Sequence, residues 1–282
     1  MVSNDQRRRQ LARDKFLRQQ ERRQTARRRA RRRNVIIAST VAVVIVAGGG
    51  AWAGGAFDSD KAKDDKNSEA AAQPSPSASP SKAPDPCDKP AAGAVKKLSY
   101  KKEPALAIDK SADYTMKLAT TCGDIGIALD AKNAPHTVNS FDYLTGKGYF
   151  DHTKCHRLTT AGIYVLQCGD PSGNGTGGPG YTLPDENLKD KKLKGNVYPA
   201  GTVAMANQYN AQTKKGRHTG GSQFFLVYQD SQLPPDYTPF GTISADGMKV
   251  LKKIAGAGES TGQGDGAPNA TVVIDKASVA KS

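Results

Sequence analysis

Histidine is scarce in this 282-residue chain, at four residues. His152 and His156 stand at a spacing that weakly suggests metal ligation, and His136 and His218 sit in loop-like sequence. Together they make no zinc set, so neither a metal nor a cofactor is expected. No serine, histidine and acid order accompanies Gly220-Gly221-Ser222, which also departs from G-x-S-x-G, and this excludes a hydrolase of that type. Gly173 to Gly178 (GNGTGG) fits G-x-G-x-x-G by letter, but Pro179 stands where a helix should begin. Without strand, turn and helix the glycines form a loop and not a dinucleotide site. No internal repeat is present.

What the chain does have is charge, and it is unevenly placed. The net charge is +14, but Met1 to Arg33 carries fourteen Lys or Arg against Asp5, Asp14 and Glu21, which leaves the remainder near neutral at +3. The basicity therefore describes a tail, and no specific nucleic-acid partner is expected. Directly after it, residues 34–57 form an apolar segment in which Val35 to Phe57 is 23 uncharged residues. A helix needs roughly 20 such residues to cross a bilayer. The positive-inside rule then keeps the tail cytoplasmic and places the rest outside the cell membrane, as a single-pass signal-anchor protein. The competing reading is a signal peptide cleaved near Ala51-Trp52-Ala53, against which the long basic region argues. Residues 58–111, with PSPSASPSKAPDP at Pro74 to Pro86, read as a disordered tether.

From Ala112 to Ser282 the texture changes to short strands. Tyr114 to Ala119 and Ile125 to Leu129 alternate around a Thr-Thr-Cys-Gly-Asp turn, predicting a hairpin. Further strands are expected at Cys155 to Leu158, Ile163 to Gln167, Thr202 to Ala206, Gln223 to Val227, Phe240 to Ile243 and Thr271 to Ile274. Val138, Phe141 and Leu144 share one face of a helix that follows Pro135. A second helix fits Asp246 to Ile254, capped by Ser244. Many short strands with two helices indicate a mainly β barrel or sandwich. Four cysteines in an exported segment suit disulfides and admit three pairings. The reading favours Cys87 with Cys122 and Cys155 with Cys168, against reduced cysteines or a catalytic thiol. Cys155 and His156 are adjacent strand residues on opposite faces and cannot act on each other.

Seven pieces occur in order: Cys155-His156-Arg157-Leu158, Gln167-Cys168-Gly169-Asp170, the Gly173 to Gly178 loop, Pro184-Asp185-Glu186-Asn187, Met205-Ala206-Asn207, Gly221-Ser222-Gln223-Phe224-Phe225 and Phe240-Gly241. In this the chain resembles the cyclophilins, over roughly Ala112 to Ala280. The tail, apolar segment, tether and two inserted residues between the Arg and Gln motifs resemble exported or membrane-anchored actinobacterial members. The resemblance implies a closed antiparallel β-barrel with two flanking helices, here preceded by a transmembrane helix and a tether. It also implies peptidyl-prolyl cis/trans isomerase activity on proline-containing polypeptides, without cofactor, by a protein taken to be a monomer.

That activity has plain physical requirements. Rotation about an X-Pro bond crosses a barrier of roughly 18–20 kcal/mol because the nitrogen lone pair is conjugated with the carbonyl. A site must hold the proline ring in an apolar pocket and bind the twisted amide, whose nitrogen can accept a hydrogen bond, better than the planar one. A charge-assisted bond contributes about 1.5–3 kcal/mol, or about tenfold to a hundredfold in rate. By the resemblance Arg157 is that donor and Gln167 holds the substrate backbone. Tyr164, Val165, Phe225 and Leu233 form the proline pocket with Tyr237, and Asn207 and Gln223 fix the extended peptide. Tyr164 and Val165 replace the family's usual Phe-Met, Tyr237 its pocket His, and Gln232 the Trp common in cyclosporin-sensitive members. Weak cyclosporin binding is the expected consequence. The alternative is a non-catalytic module that binds proline segments as a chaperone.

Overall fold

The protein is described from a computed structural model, over residues 84–282. The basic tail, the apolar segment 34–57 and the first part of the tether lie outside the described residues. Among the described residues no helix is long and apolar enough to cross a membrane.

Among the described residues twelve strands and two α-helices follow in order: β1 (Tyr114–Thr120), β2 (Gly123–Leu129), α1 (Pro135–Gly146), β3 (Thr153–Lys154), β4 (Arg157–Thr159), β5 (Val165–Cys168), β6 (Val197–Tyr198), β7 (Thr202–Met205), β8 (Phe224–Val227), β9 (Ser231–Gln232), β10 (Pro239–Ile243), α2 (Ala245–Gly256), β11 (Asp265–Gly266) and β12 (Val273–Lys281). In β1 the residues Tyr114, Met116 and Leu118 are buried while Thr115 and Lys117 are exposed, the period-two pattern of a half-buried strand. The β1–β2 hairpin pairs Tyr114 with Leu129 through Thr120 with Gly123.

All but β6 and β9 belong to one curled antiparallel sheet, in the order β11-β4-β5-β8-β7-β10-β2-β1-β12-β3. The closed ladder expected from the sequence is not formed, since no ladder joins β3 to β11. The reason lies in the segment expected as the single strand Cys155 to Leu158. It is broken, and the chain passes from one end of the sheet to the other. The Cys155 amide donates to Val272 O at 3.0 Å, continuing the β12 side, and the next amide, His156, donates to Gln167 O at 3.1 Å, joining the β5 side. The last strand also differs: it runs Val273–Lys281, against an expected Thr271 to Ile274, because it pairs with β1 along that strand's whole length.

One face of the sheet is filled by the main core, in which Phe141 of α1 lies 4.7 Å from Phe240, 5.2 Å from Phe150 and 5.5 Å from Phe224 between ring centroids. Helix α2 begins at Ser244, whose hydroxyl accepts the Gly247 amide at 3.1 Å, a cap worth about 1 kcal/mol. Helix α1 starts on Pro135 and has no cap of its own. Glu186 supplies one from a distant loop, accepting the amides of His136 (3.1 Å) and Thr137 (2.9 Å). Its negative charge also suits a helix N-terminus. The glutamate of the Asp185-Glu186-Asn187 element is thus bound to the helix.

Residues 84–111, expected as the end of a disordered tether, are instead held against the domain. Cys87 is bonded to Cys122, Ala91 N donates to Asp275 Oδ1 at 3.0 Å, and Ala107 N donates to Asn139 Oδ1 at 2.8 Å. The Tyr100 amide donates to Pro179 O at 2.8 Å, and its ring meets Tyr143 edge-on at 5.2 Å. This strap has no strand or helix, so composition alone made it look like tether. Leu98, Tyr100 and Ile108 of the strap pack on the main core, while Leu106 stays exposed.

Candidate active site

Register across four strands sets out the site. Arg157 on β4 is the partner of Gln167 on β5, Gln167 of Phe225 on β8, and Phe225 of Ala204 on β7. The neighbouring positions Leu158, Leu166, Phe224 and Val203 belong to the main core. Alternation therefore turns the row Arg157, Gln167, Phe225 and Ala204 to the opposite face. There a second, smaller core gathers Val165, Tyr198, Ala204, Phe225 and Val227, with Leu233, Tyr237, Ile163, Leu193 and Ala206 packed against it.

The polar half of the row is a chain of hydrogen bonds. Arg157 Nη1 donates to Gln167 Oε1 at 3.2 Å. Gln167 Nε2 donates to Gln223 Oε1 at 2.9 Å, and Gln223 Nε2 donates to Gly177 O at 2.9 Å. At the other end Arg157 pairs with Asp265, Nε to Oδ1 at 2.8 Å and Nη2 to Oδ2 at 2.9 Å. The Asp265 hydrogen bond is the chief reason the guanidinium is raised above its ordinary pKa. Beside Gln167 and Gln223 opens a cavity of about 430 Å³, walled by Asn207, Gln208, Thr219 and the Gly175 to Thr182 loop.

That loop folds around Asp170, which is wholly buried. Its carboxylate accepts the amides of Ser172 (2.6 Å), Asn174 (3.0 Å), Gly175 (2.6 Å) and Thr176 (3.1 Å). Burial pushes the acid up, but the backbone amides of Ser172, Gly177, Gly175 and Asn174 together outweigh it and hold the pKa below the usual carboxylate value. The glycines make room: a Cβ on Gly177 would collide with Asp170 Oδ1. The loop is therefore an anion nest whose anion is internal. His156 lies beneath it with both ring nitrogens buried and without a hydrogen bond. Burial is the main cause of its lowered pKa, with Arg157 adding to it and Asp170 opposing.

The apolar half is built on Tyr198. Its ring is fully buried and meets Phe225 at 6.1 Å and Tyr237 at 6.3 Å. Its hydroxyl donates to Tyr237 O at 2.7 Å and accepts the Tyr237 amide at 3.1 Å. Tyr237 in turn stands edge-on to Phe225 at 5.5 Å. Burial raises the pKa of both tyrosines, so both are neutral phenols at ordinary pH.

Of the residues picked from the sequence, Arg157, Gln167 and Gln223 are joined in one chain, and Val165, Phe225, Leu233 and Tyr237 share one apolar cluster. Asn207 lines the cavity, its side chain donating to Asp236 O at 2.8 Å and accepting the Tyr209 amide at 3.1 Å. Tyr164 is not among the residues packed on the second core. Its ring lies edge-on to Tyr228 at 5.9 Å, because strand alternation gives the pocket face to Val165 and Gln167. Cys155 is bonded to Cys168, and no cysteine among the described residues is free. Among them no group of three or more His, Cys, Asp or Glu is placed to hold a metal ion. Tyr198 and Asp265 were missed. Tyr198 sits in a two-residue strand, and nothing in the sequence around Asp265 points to Arg157.

A curled antiparallel sheet carrying a cationic donor and an amide chain beside an apolar cluster defines a mainly β protein with its candidate site on the face opposite the main core. The family model described as cyclophilin type peptidyl-prolyl cis-trans isomerase matches residues 115–279, and the chain belongs to that family. A probable peptidyl-prolyl cis-trans isomerase B of Mycobacterium leprae is 52% identical over 172 residues, covering 58% of this chain and 56% of the relative. A peptidyl-prolyl cis-trans isomerase of Helicobacter pylori is 39% identical over 155 residues, covering 54% of this chain and 85% of that protein. A crystal structure of a cyclophilin type isomerase from Cryptosporidium parvum aligns with a TM-score of 0.49 at 26% identity, over 60% of this chain and 98% of its own. The chain thus spans little more than half the length of the mycobacterial relative.

Proposed function

We propose that the protein is a peptidyl-prolyl cis/trans isomerase acting on exported or envelope polypeptides. The observation that carries this reading is the register row in which Arg157, Gln167 and Phe225 stand side by side across β4, β5 and β8. A proline ring seated among Phe225, Val165, Leu233 and Tyr237 places its amide nitrogen next to Arg157. As the C–N bond twists, conjugation is lost and the nitrogen lone pair becomes an acceptor. An Arg157 N–H then binds the twisted amide more strongly than the planar one, which lowers the barrier. Gln167 and Gln223 hold the flanking peptide, so that only the bond between the held parts turns. No proton is transferred and no bond is broken.

In this reading residues 34–57 span the cell membrane, the basic tail stays cytoplasmic, and the described domain works outside as a monomer. Cation asymmetry and the length of the apolar segment support the placement. Digestion of the domain by protease added to intact cells tests it, and protection until lysis would overturn it.

The activity itself is tested with the full chain in a protease-coupled cis/trans assay on an Ala-Pro peptide. Arg157→Ala is expected to lower kcat/KM at least about tenfold. Equal inertness of wild type and variant would instead leave a non-catalytic proline-binding module. Cyclosporin is expected to bind weakly, since Gln232 is exposed with its amide turned to Gly195 O at 3.0 Å. Tight nanomolar inhibition would contradict this.

A further inference from the structure

The guanidinium of Arg157 has five N–H donors in a rigid plane. Three are engaged: Nε–H and one Nη2–H on Asp265, at 2.8 and 2.9 Å, and one Nη1–H on Gln167 at 3.2 Å. One N–H on each Nη remains for a substrate. Two parallel bonds to one carboxylate fix both the position and the plane of the group, whereas a single bond would leave it free to rotate. The Arg157 side chain is 38% exposed, so without a partner it would sample many rotamers in water.

The backbone that carries Asp265 is held firmly, while its side chain is 56% exposed and bonded to Arg157. The residue lies on β11, paired with Thr159 of the strand that carries Arg157. The loop before it closes on Glu259, a buried residue whose carboxylate accepts the Thr261 amide (2.6 Å), the Thr261 hydroxyl (2.7 Å) and the Gly264 amide (2.8 Å). The loop also docks on the turn that follows β4, Thr160 N donating to Gly264 O at 2.9 Å. A Cβ on Gly266 would strike Glu259 Oε2, so the carboxylate fills the loop. Buried carboxylate, loop, Asp265 and Arg157 form one connected support.

Electrostatically the arrangement is costly, because a carboxylate against the guanidinium weakens the positive field offered to a developing lone pair. A site relying on charge alone would leave Arg157 unpaired. We propose that Asp265 is a positioning residue for the isomerase reaction: it fixes the guanidinium of Arg157, on the loop organised by Glu259, so that the two remaining Nη protons meet the twisted amide without reorganisation. The proposal rests on the isomerase reading.

Kinetics of the full chain test it. Asp265→Ala is expected to lower kcat about tenfold with KM changed less than about twofold. Asp265→Glu should recover part of the loss, and Arg157→Ala with Asp265→Ala should be no slower than Arg157→Ala alone, since Asp265 acts through Arg157. Asp265→Asn separates orientation from charge: it should be slower than wild type. A faster Asp265→Asn, a wild-type rate for Asp265→Ala, or additive losses in the double variant would each overturn the proposal. A readout independent of turnover is the hydrogen exchange of the Arg157 Nε–H, identified by its absence in Arg157→Lys. Slow exchange in wild type and faster exchange in Asp265→Ala are expected, and equal rates would overturn the clamp. An inert wild type would overturn the isomerase reading and with it the catalytic part of the proposal, while the exchange measurement still decides whether the clamp exists.

Discussion

Two loops reach the polar row from opposite ends, and both are wrapped around a carboxylate. Asp170 gathers the amides of the Ser172 to Thr176 loop and Glu259 those of Thr261 and Gly264. What they hand to the site differs. The first offers a backbone carbonyl, Gly177 O, to Gln223; the second offers a charged side chain, Asp265, to Arg157. A carbonyl has one position once its loop is folded, so the first support depends on folding alone. A carboxylate side chain can be changed without changing the loop, so the second can alter the reaction and spare the fold.

The sharpest way to break that contrast is Asp170→Ala. It takes the acceptor from the amides of Ser172, Asn174 and Gly175, while Thr176 keeps Asn174 Oδ1 at 3.0 Å, and with water able to reach these exposed residues the expected loss is about 3 kcal/mol in urea unfolding. Gly177→Ala comes next, at about 2 kcal/mol, since the added methyl overlaps Asp170 in a packed loop. Glu259→Gln should lower Tm less than Asp170→Asn while reducing kcat, because its loop ends on Asp265. A Glu259→Gln protein with wild-type kcat and a Tm as low as that of Asp170→Asn would erase the distinction.

The smallest effects are in pH. Asp170 and Glu259 both have lowered pKa values. Their contribution is complete above the unfolded value of about 4 and is lost as pH falls through the folded values. His156 is also lowered, so the unfolded chain takes up that proton first and stability begins to fall below about pH 6.5. Melting curves from pH 8 to 3 should show a shallow decline below 6.5 that disappears in His156→Gln, then a steeper one below 4 that flattens in Asp170→Asn. A decline below pH 6.5 unchanged in His156→Gln would assign it elsewhere.

The hairpin of Tyr114 to Leu129, both helices and the Ser244 cap could be read from the sequence because local periodicity and capping chemistry determine them. The break after Lys154 could not, since it depends on which distant strand each amide meets, Val272 on one side and Gln167 on the other. Two-residue strands such as Val197–Tyr198 have no period to detect, and Tyr198 was lost with them. Ordered motifs brought Arg157, Gln167 and Phe225 to attention, but the sequence separates Arg157 from Asp265 by 108 residues with no pattern linking them. The resemblance implies Tyr164 next to a two-residue insertion, and strand parity turns its ring to Tyr228 and gives the second core to Val165. The strap was misread because polar composition resembles a tether even where a disulfide and a handful of hydrogen bonds fix the backbone.

Tyr100 of the strap touches the wall of the 430 Å³ cavity at Pro179, and Gly180 has no space for a Cβ against Ser99 and Tyr100. Any pull arriving along the chain from before residue 84 meets the hydrogen bond of Asp85 to the Thr271 amide and then the Cys87–Cys122 bond, the first covalent anchor. Everything from Asp88 to Thr121 lies inside that covalent loop, so tension passes from Cys87 directly into the β1–β2 turn. The strap is thereby mechanically bypassed, and the cavity wall it touches is shielded from load applied from that end.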